Sequence, residues 1–143
     1  MRILVSIALA VVLFGGCATT PVRSSDAVRV PKERLLAFQE KTEKTSSTIT
    51  ITRDAGVMGS ACNLVVRING TNSAQYGVGE TGSFYVEPGE VILTVGYNLL
   101  GFSLCGTGKI TTREAYLRSG ETKYFRITSD GFGGTDIMRS ELE

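Results

Sequence analysis

Three cysteines and no histidine set the chemistry open to this chain of 143 residues. Without imidazole, serine and cysteine nucleophiles lose their usual general base, and a metal site loses its commonest ligand. The thiols of Cys17, Cys62 and Cys105 remain, suited to acylation or to disulfide formation. Glu87 and Glu90 bracket Pro88-Gly89 and are expected at a solvated hairpin tip, where nothing separates their pKa values as acid/base catalysis requires. Asp130 and Asp136 flank a glycine-rich stretch but lack the spaced oxygens of a calcium loop, so they read as turn residues. Gly77-Val78-Gly79-Glu80-Thr81-Gly82 fits the G-x-G-x-x-G spacing. Its phosphate-binding mechanism needs a helix to follow, whereas Ser83-Phe84-Tyr85-Val86 reads as strand. The chain is therefore read as no enzyme, with no catalytic, cofactor or metal residues.

The setting of Cys17 is more informative. Met1-Arg2 supplies one positive charge, Ile3 to Phe14 is apolar except for Ser6, and Gly15-Gly16 precede the cysteine. A basic start, a short apolar run and small residues before a cleavage point make a secretory signal. The run is shorter than the roughly 20 residues that cross a bilayer. Leu13-Phe14-Gly15-Gly16-Cys17 resembles the bacterial lipobox, with Phe14 departing from the usual leucine. The resemblance implies a cysteine that receives a diacylglyceryl group on sulfur and, after cleavage, an acyl chain such as palmitate on its new amine. Residues 1–16 are thus expected to be a lipoprotein signal peptide, and Cys17 the membrane anchor. Ala18 fits an outer-membrane address under the sorting rule of such lipoproteins, which places the protein on the periplasmic side.

Export also bears on the other two thiols. Cys62 and Cys105 form a pair in a compartment where disulfides persist, closing a loop of about 43 residues worth about 4 kcal/mol on chain-entropy grounds. Two buried free thiols are the alternative. The net charge of +1 falls to zero once Arg2 leaves with the signal, so no basic excess exists to neutralise phosphates, and nucleic acid is not an expected partner.

These chemical groups need elements to hold them. Residues 17–45 read as a lipidated tether with a short helix: 18–30 are small, polar and aperiodic, as in a flexible linker. Pro31 is placed to open a helix that carries Leu35, Leu36 and Phe38 on one side and ends near Glu43. From residue 46 the period becomes two. Ile49 and Ile51 alternate with threonines, and Leu64, Val66 and Ile68 alternate likewise. Asn69-Gly70 is a hairpin turn signal, returning through Ala74, Tyr76 and Val78. Phe84 and Val86 precede a Pro88-Gly89 turn, followed by Val91, Leu93 and Val95. Further strands are expected over 109–117, through Phe125 and Ile127, and through Ile137. The expectation is a mainly β protein: an antiparallel β-sandwich of about 7–8 strands over 46–143, with a short N-terminal helix and a flexible lipidated tether. One echo stands out, since Gly79-Glu80-Thr81 and Gly120-Glu121-Thr122 are each followed by a strand with phenylalanine at the same offset.

The segment from Phe84 through Glu87-Pro88-Gly89-Glu90 to Val95 resembles the strand–Pro-Gly-Glu–strand hairpin of PEGA-like and DUF2846-like β-sandwich modules of small bacterial lipoproteins. The resemblance implies a binding or structural role in the envelope and carries no catalytic residues with it. The stretch 96–106 is apolar and glycine-rich, and Leu99, Leu100 and Phe102 are its candidate partner-contact residues. The bland reading is a loop folded over one end of the sandwich, pinned by Cys105 to Cys62. The expected role is a membrane-anchored accessory module that contacts another envelope protein. Binding of cell-wall glycan through its tyrosines is the alternative.

Overall fold

The computed structural model describes residues 19–56, 60–97, 109–130, 134–141 and 143. The protein is mainly β, with nine strands among these residues in two sheets that face each other as a sandwich. The strands are β1 (Val28–Arg29), β2 (Ser47–Arg53), β3 (Leu64–Ile68), β4 (Thr71–Tyr76), β5 (Glu80–Val86), β6 (Gly89–Gly96), β7 (Thr111–Leu117), β8 (Thr122–Ser129) and β9 (Thr135–Ser140). One sheet runs β1-β5-β2-β8-β9 and the other β4-β3-β6-β7. The period-two apolar residues do what the alternation demands: Ile49, Ile51, Phe84, Phe125, Ile127 and Ile137 of one sheet meet Leu64, Val66, Leu93 and Val95 of the other in one core.

Turn chemistry sets the register. Asn69 and Gly70 both take positive φ (49° and 78°), as a tight β3–β4 hairpin requires. Gly89, after Pro88, sits at 123° and opens β6. The Gly-Glu-Thr echo is one device used twice. Gly79 and Gly120 take positive φ, and the following glutamate accepts a backbone N–H from three residues earlier: Gly77 N to Glu80 at 2.6 Å, Arg118 N to Glu121 at 2.8 Å. The two strands so launched, β5 and β8, flank β2 on either side.

Three expectations are corrected. The sandwich is mixed rather than antiparallel, because β1 pairs with β5 and β2 with β8 in parallel. The short N-terminal helix is a single 3-10 turn over Lys32–Arg34, with Pro31 just before it. Its apolar residues serve an extended strap instead: Leu35 bridges Ala74 of β4, Leu36 donates its N–H to Ser73, and Phe38 (φ 62°) accepts the N–H of Tyr85 in β5. This strap occupies the backbone groups of β4 and β5, the strands bordering one side of the sandwich. Nor are residues 20–30 a free tether. Thr20 forms a two-bond bridge with Ala55, and β1 adds a strand to the first sheet. On the other side of the sandwich, Thr111 of β7 donates its hydroxyl to Thr135 O of β9 at 2.6 Å.

Candidate functional site

The two ends of the sandwich differ. At one end, the chain connects β2 to β3, β4 to β5, β6 to β7 and β8 to β9, and the N-terminal segment enters there. The opposite end carries the tight connections at 69–70, 87–88 and 118–121. Charge is built into the first end. Arg53 continues the inward parity of Ile49 and Ile51 and is only 2% exposed. It crosses between the sheets to donate from Nη1 to Cys62 O and Tyr76 O, both at 2.8 Å. Burial lowers its pKa from the ordinary arginine value, and Tyr97 and Glu80 partly offset that effect. Beside it, Arg34 from the strap grips the Glu80 carboxylate with two bonds at 2.8 and 2.5 Å.

A second pair fixes where the N-terminal segment enters. Asp54, buried just beyond β2, accepts both Nε and Nη2 of Arg126, the Nε bond at 3.1 Å. The remaining capacity of the same carboxylate goes to the Thr19 hydroxyl at 3.1 Å. The Asp54 N–H donates to Ile127 O at 2.9 Å, so backbone and side chain both hold this residue to β8.

The outer face of the first sheet carries a groove of about 420 Å³, roofed by Ser24, Ser25 and Ala27 and floored by Thr50, Ser83 and Tyr124. Thr50 and Ser83 share a hydroxyl hydrogen bond at 2.9 Å, so the floor is polar and ordered. A second concavity shares Arg29, Thr81 and Ser83 and is walled by Tyr85 and Gln39. Tyr124 and Tyr85 thus border neighbouring hollows on one hydroxyl-rich face, the kind of surface that stacks on and hydrogen-bonds a polyol.

The sequence matches no family model and no curated protein.

Of the residues singled out from the sequence, Cys17, Cys105, Leu99, Leu100 and Phe102 lie outside the described residues. Cys62 is half-buried against the core, and its own carbonyl accepts from Arg53. Glu87 and Glu90 are exposed about the β5–β6 turn. Asp130 accepts the N–H of Gly134 at 2.7 Å, and Asp136 pairs with Arg113 at 3.0 Å, so both serve the β8–β9 region structurally. The glycine-rich segment 77–82 leads into β5, and its Gly77 amide is occupied by Glu80. Among the tyrosines, Tyr76 and Tyr97 are buried, whereas Tyr85 and Tyr124 are half-buried and Tyr116 is exposed. Among the described residues, no group of three or more histidine, cysteine, aspartate or glutamate side chains is placed to hold a metal.

Sequence reasoning missed Arg53 and the Asp54–Arg126 pair. Arg53 had a signal, because a cation at the inward parity of an apolar strand must reach backbone carbonyls or a carboxylate. The Asp54–Arg126 pair had none, since it depends on the parallel β2–β8 register that sets Thr52 opposite Arg126.

Proposed function

We propose that this protein is a lipoprotein of the bacterial envelope, exported through residues 1–16 and acylated at Cys17. In this reading it is held in the outer membrane facing the periplasm, and its β-domain is an accessory module that contacts another envelope protein. The observation that carries the reading is the run from Met1 to Cys17, with its basic start, apolar core and Gly-Gly-Cys junction. The attachment of Thr19 and Thr20 supports it, because the folded domain then begins just past the residue that would be cleaved and acylated. Multiple acyl chains give a stable anchor, each buried CH₂ contributing about 0.8 kcal/mol.

Cys62 and Cys105 form the disulfide of the exported protein in this proposal. Cys62 lies in the β2–β3 connection and Cys105 in the β6–β7 connection, and both connections leave the sandwich at the Thr19 end, which favours the pairing. Leu99, Leu100 and Phe102 belong to that β6–β7 connection by sequence and are the proposed partner-contact residues. Mass spectrometry of the membrane-extracted protein tests the anchor. A mature chain starting at Cys17 with diacylglyceryl and amide-linked acyl mass is expected, and an unmodified cysteine or another N-terminus overturns it. In-cell crosslinking tests the partner: one dominant envelope protein is expected, and recovery of bulk outer-membrane proteins alone removes the accessory role.

A second reading, binding of cell-wall glycan, is favoured by the two neighbouring hollows bordered by Tyr124 and by Tyr85. Pelleting with purified cell wall, lost in Tyr124→Ala and Tyr85→Ala, would support it. Absence of pelleting by the parent protein removes it.

A further inference from the structure

We infer that the Thr19 end of the sandwich is seated directly on the bilayer, with Lys109 and Ile110 at the interface and Tyr116 well removed from it along β7. The inference rests on the lipid anchor at Cys17 and goes beyond it, because an anchored domain can equally stand off on a tether.

The first observation is how the chain is fixed at residue 19. Thr20 exchanges two backbone hydrogen bonds with Ala55, at 2.8 and 2.9 Å, and Thr19 donates to Asp54. Asp54 is itself held by Arg126 and by the Ile127 carbonyl. Slack between the anchor and the domain is therefore confined to the two residue steps from Cys17 to Thr19. Fully extended, these reach about 7 Å. The polar headgroup layer of one leaflet is itself about 5–7 Å deep. An acylated Cys17 accordingly holds the Thr19 end within the interfacial layer, with no room for an intervening protein or a free water gap.

The second observation is what this end presents. Ile110 is 54% exposed, lying over Gly96 with its Cγ1 3.2 Å from where a Cβ on that glycine would sit. Lys109 beside it is exposed, an arrangement in which an apolar side chain can enter the interface while the ammonium stays among headgroup phosphates. The N-terminus thus enters at the end that carries Ile110 and Lys109. Tyr116 lies six residues along β7 from Ile110, about 20 Å farther from that end at about 3.3 Å per residue.

The chain contains no tryptophan, so a single introduced indole reports alone. The full lipidated protein, as Ile110→Trp or as Tyr116→Trp, is reconstituted into phosphatidylethanolamine–phosphatidylglycerol vesicles with bromine on the lipid acyl chains. Indole emission at 110 is expected to fall by roughly half or more and to shift blue, and emission at 116 to fall by less than about a tenth. Equal, slight quenching at both positions overturns the seating, and stronger quenching at 116 inverts it. Lys109→Trp serves as the second probe should Ile110→Trp lower the thermal transition. Intact mass of the same sample separates the two possible failures. Acyl mass without quenching at 110 refutes the seating alone, whereas absence of acyl mass refutes the anchor and the seating with it.

Discussion

The hydroxyl of Tyr76 stands 2.8 Å from where a Cβ on Gly82 would lie. Tyr76 ends β4 on one sheet and Gly82 lies in β5 of the other, so this contact sets how closely the sheets approach beside the β4–β5 turn. Gly82→Ala is expected to cost about 1–3 kcal/mol, because neither the buried ring nor the strand can move freely. Tyr76→Phe removes the offending oxygen and leaves the ring carbon Cζ and Phe84 as the nearest neighbours, each 3.5 Å away, an ordinary contact. The double variant should therefore lose less stability than the two single variants added together, by about 1 kcal/mol in chemical denaturation. Strict additivity would show that the contact does not set the spacing.

The same phenol makes stability depend on alkaline pH. Burial pushes the Tyr76 hydroxyl well above its ordinary value, and the nearby Glu80 carboxylate adds to the shift. The folded state thus favours the neutral form. Its contribution is complete below the unfolded pKa of about 10 and is lost as pH rises above that value towards the folded pKa. Tyr76→Phe, which has nothing to ionise there, should flatten the alkaline limb of a stability-against-pH curve. An unchanged limb would assign the alkaline loss to other groups.

What the sequence disclosed follows a physical division. Alternation along β2, β3, β5, β6 and β8 was legible because burial of one strand face leaves a period-two record in residue type. The Asn69-Gly70 turn was legible because positive φ restricts the residues that can stand there. The strap was not. Leu35 and Phe38 have helix-like spacing with charges on either flank, yet the bordering strands β4 and β5 offer more backbone hydrogen bonds than one isolated turn does. The parallel β2–β8 pairing was also hidden, since parallel and antiparallel partners can bury the same face. For the candidate site, the Cys17 context was readable as local sequence. The Asp54–Arg126–Thr19 arrangement needed contacts of 35 and 72 residues in separation, which local patterns do not record.

Asp54→Ala tests that arrangement. It removes the acceptor of both Arg126 bonds and of the Thr19 hydroxyl, and leaves a guanidinium that is largely screened from water. A loss of about 3 kcal/mol is expected, at the lower end for breaking a buried pair because Arg126 keeps some solvent access. The N-terminal segment should loosen as well. Limited proteolysis at Arg23 is expected to become faster in Asp54→Ala than in Thr19→Val, which forfeits one hydrogen bond worth about 1 kcal/mol. Equal cleavage rates in the parent and in Asp54→Ala would place the hold on this segment in the Thr20–Ala55 bridge alone.

The proposed Cys62–Cys105 disulfide should matter through Arg53. Arg53 donates to the Cys62 carbonyl, so the position of the β2–β3 connection decides whether a nearly inaccessible guanidinium keeps one of its acceptors. Tying Cys62 to the β6–β7 connection restricts that movement in the folded state and the loop entropy of the unfolded chain. The joint variant Cys62→Ser with Cys105→Ser is expected to lose up to about 4 kcal/mol, and reduction of the parent protein should reproduce the loss. Arg53→Met separates the two contributions. If the cross-link acts by keeping the carbonyl in reach of the guanidinium, removing both thiols should cost less in the Arg53→Met background than in the parent. If it acts on the unfolded chain alone, the cost should be the same in both. Two titratable thiols in the exported, unreduced protein would rule out the cross-link itself.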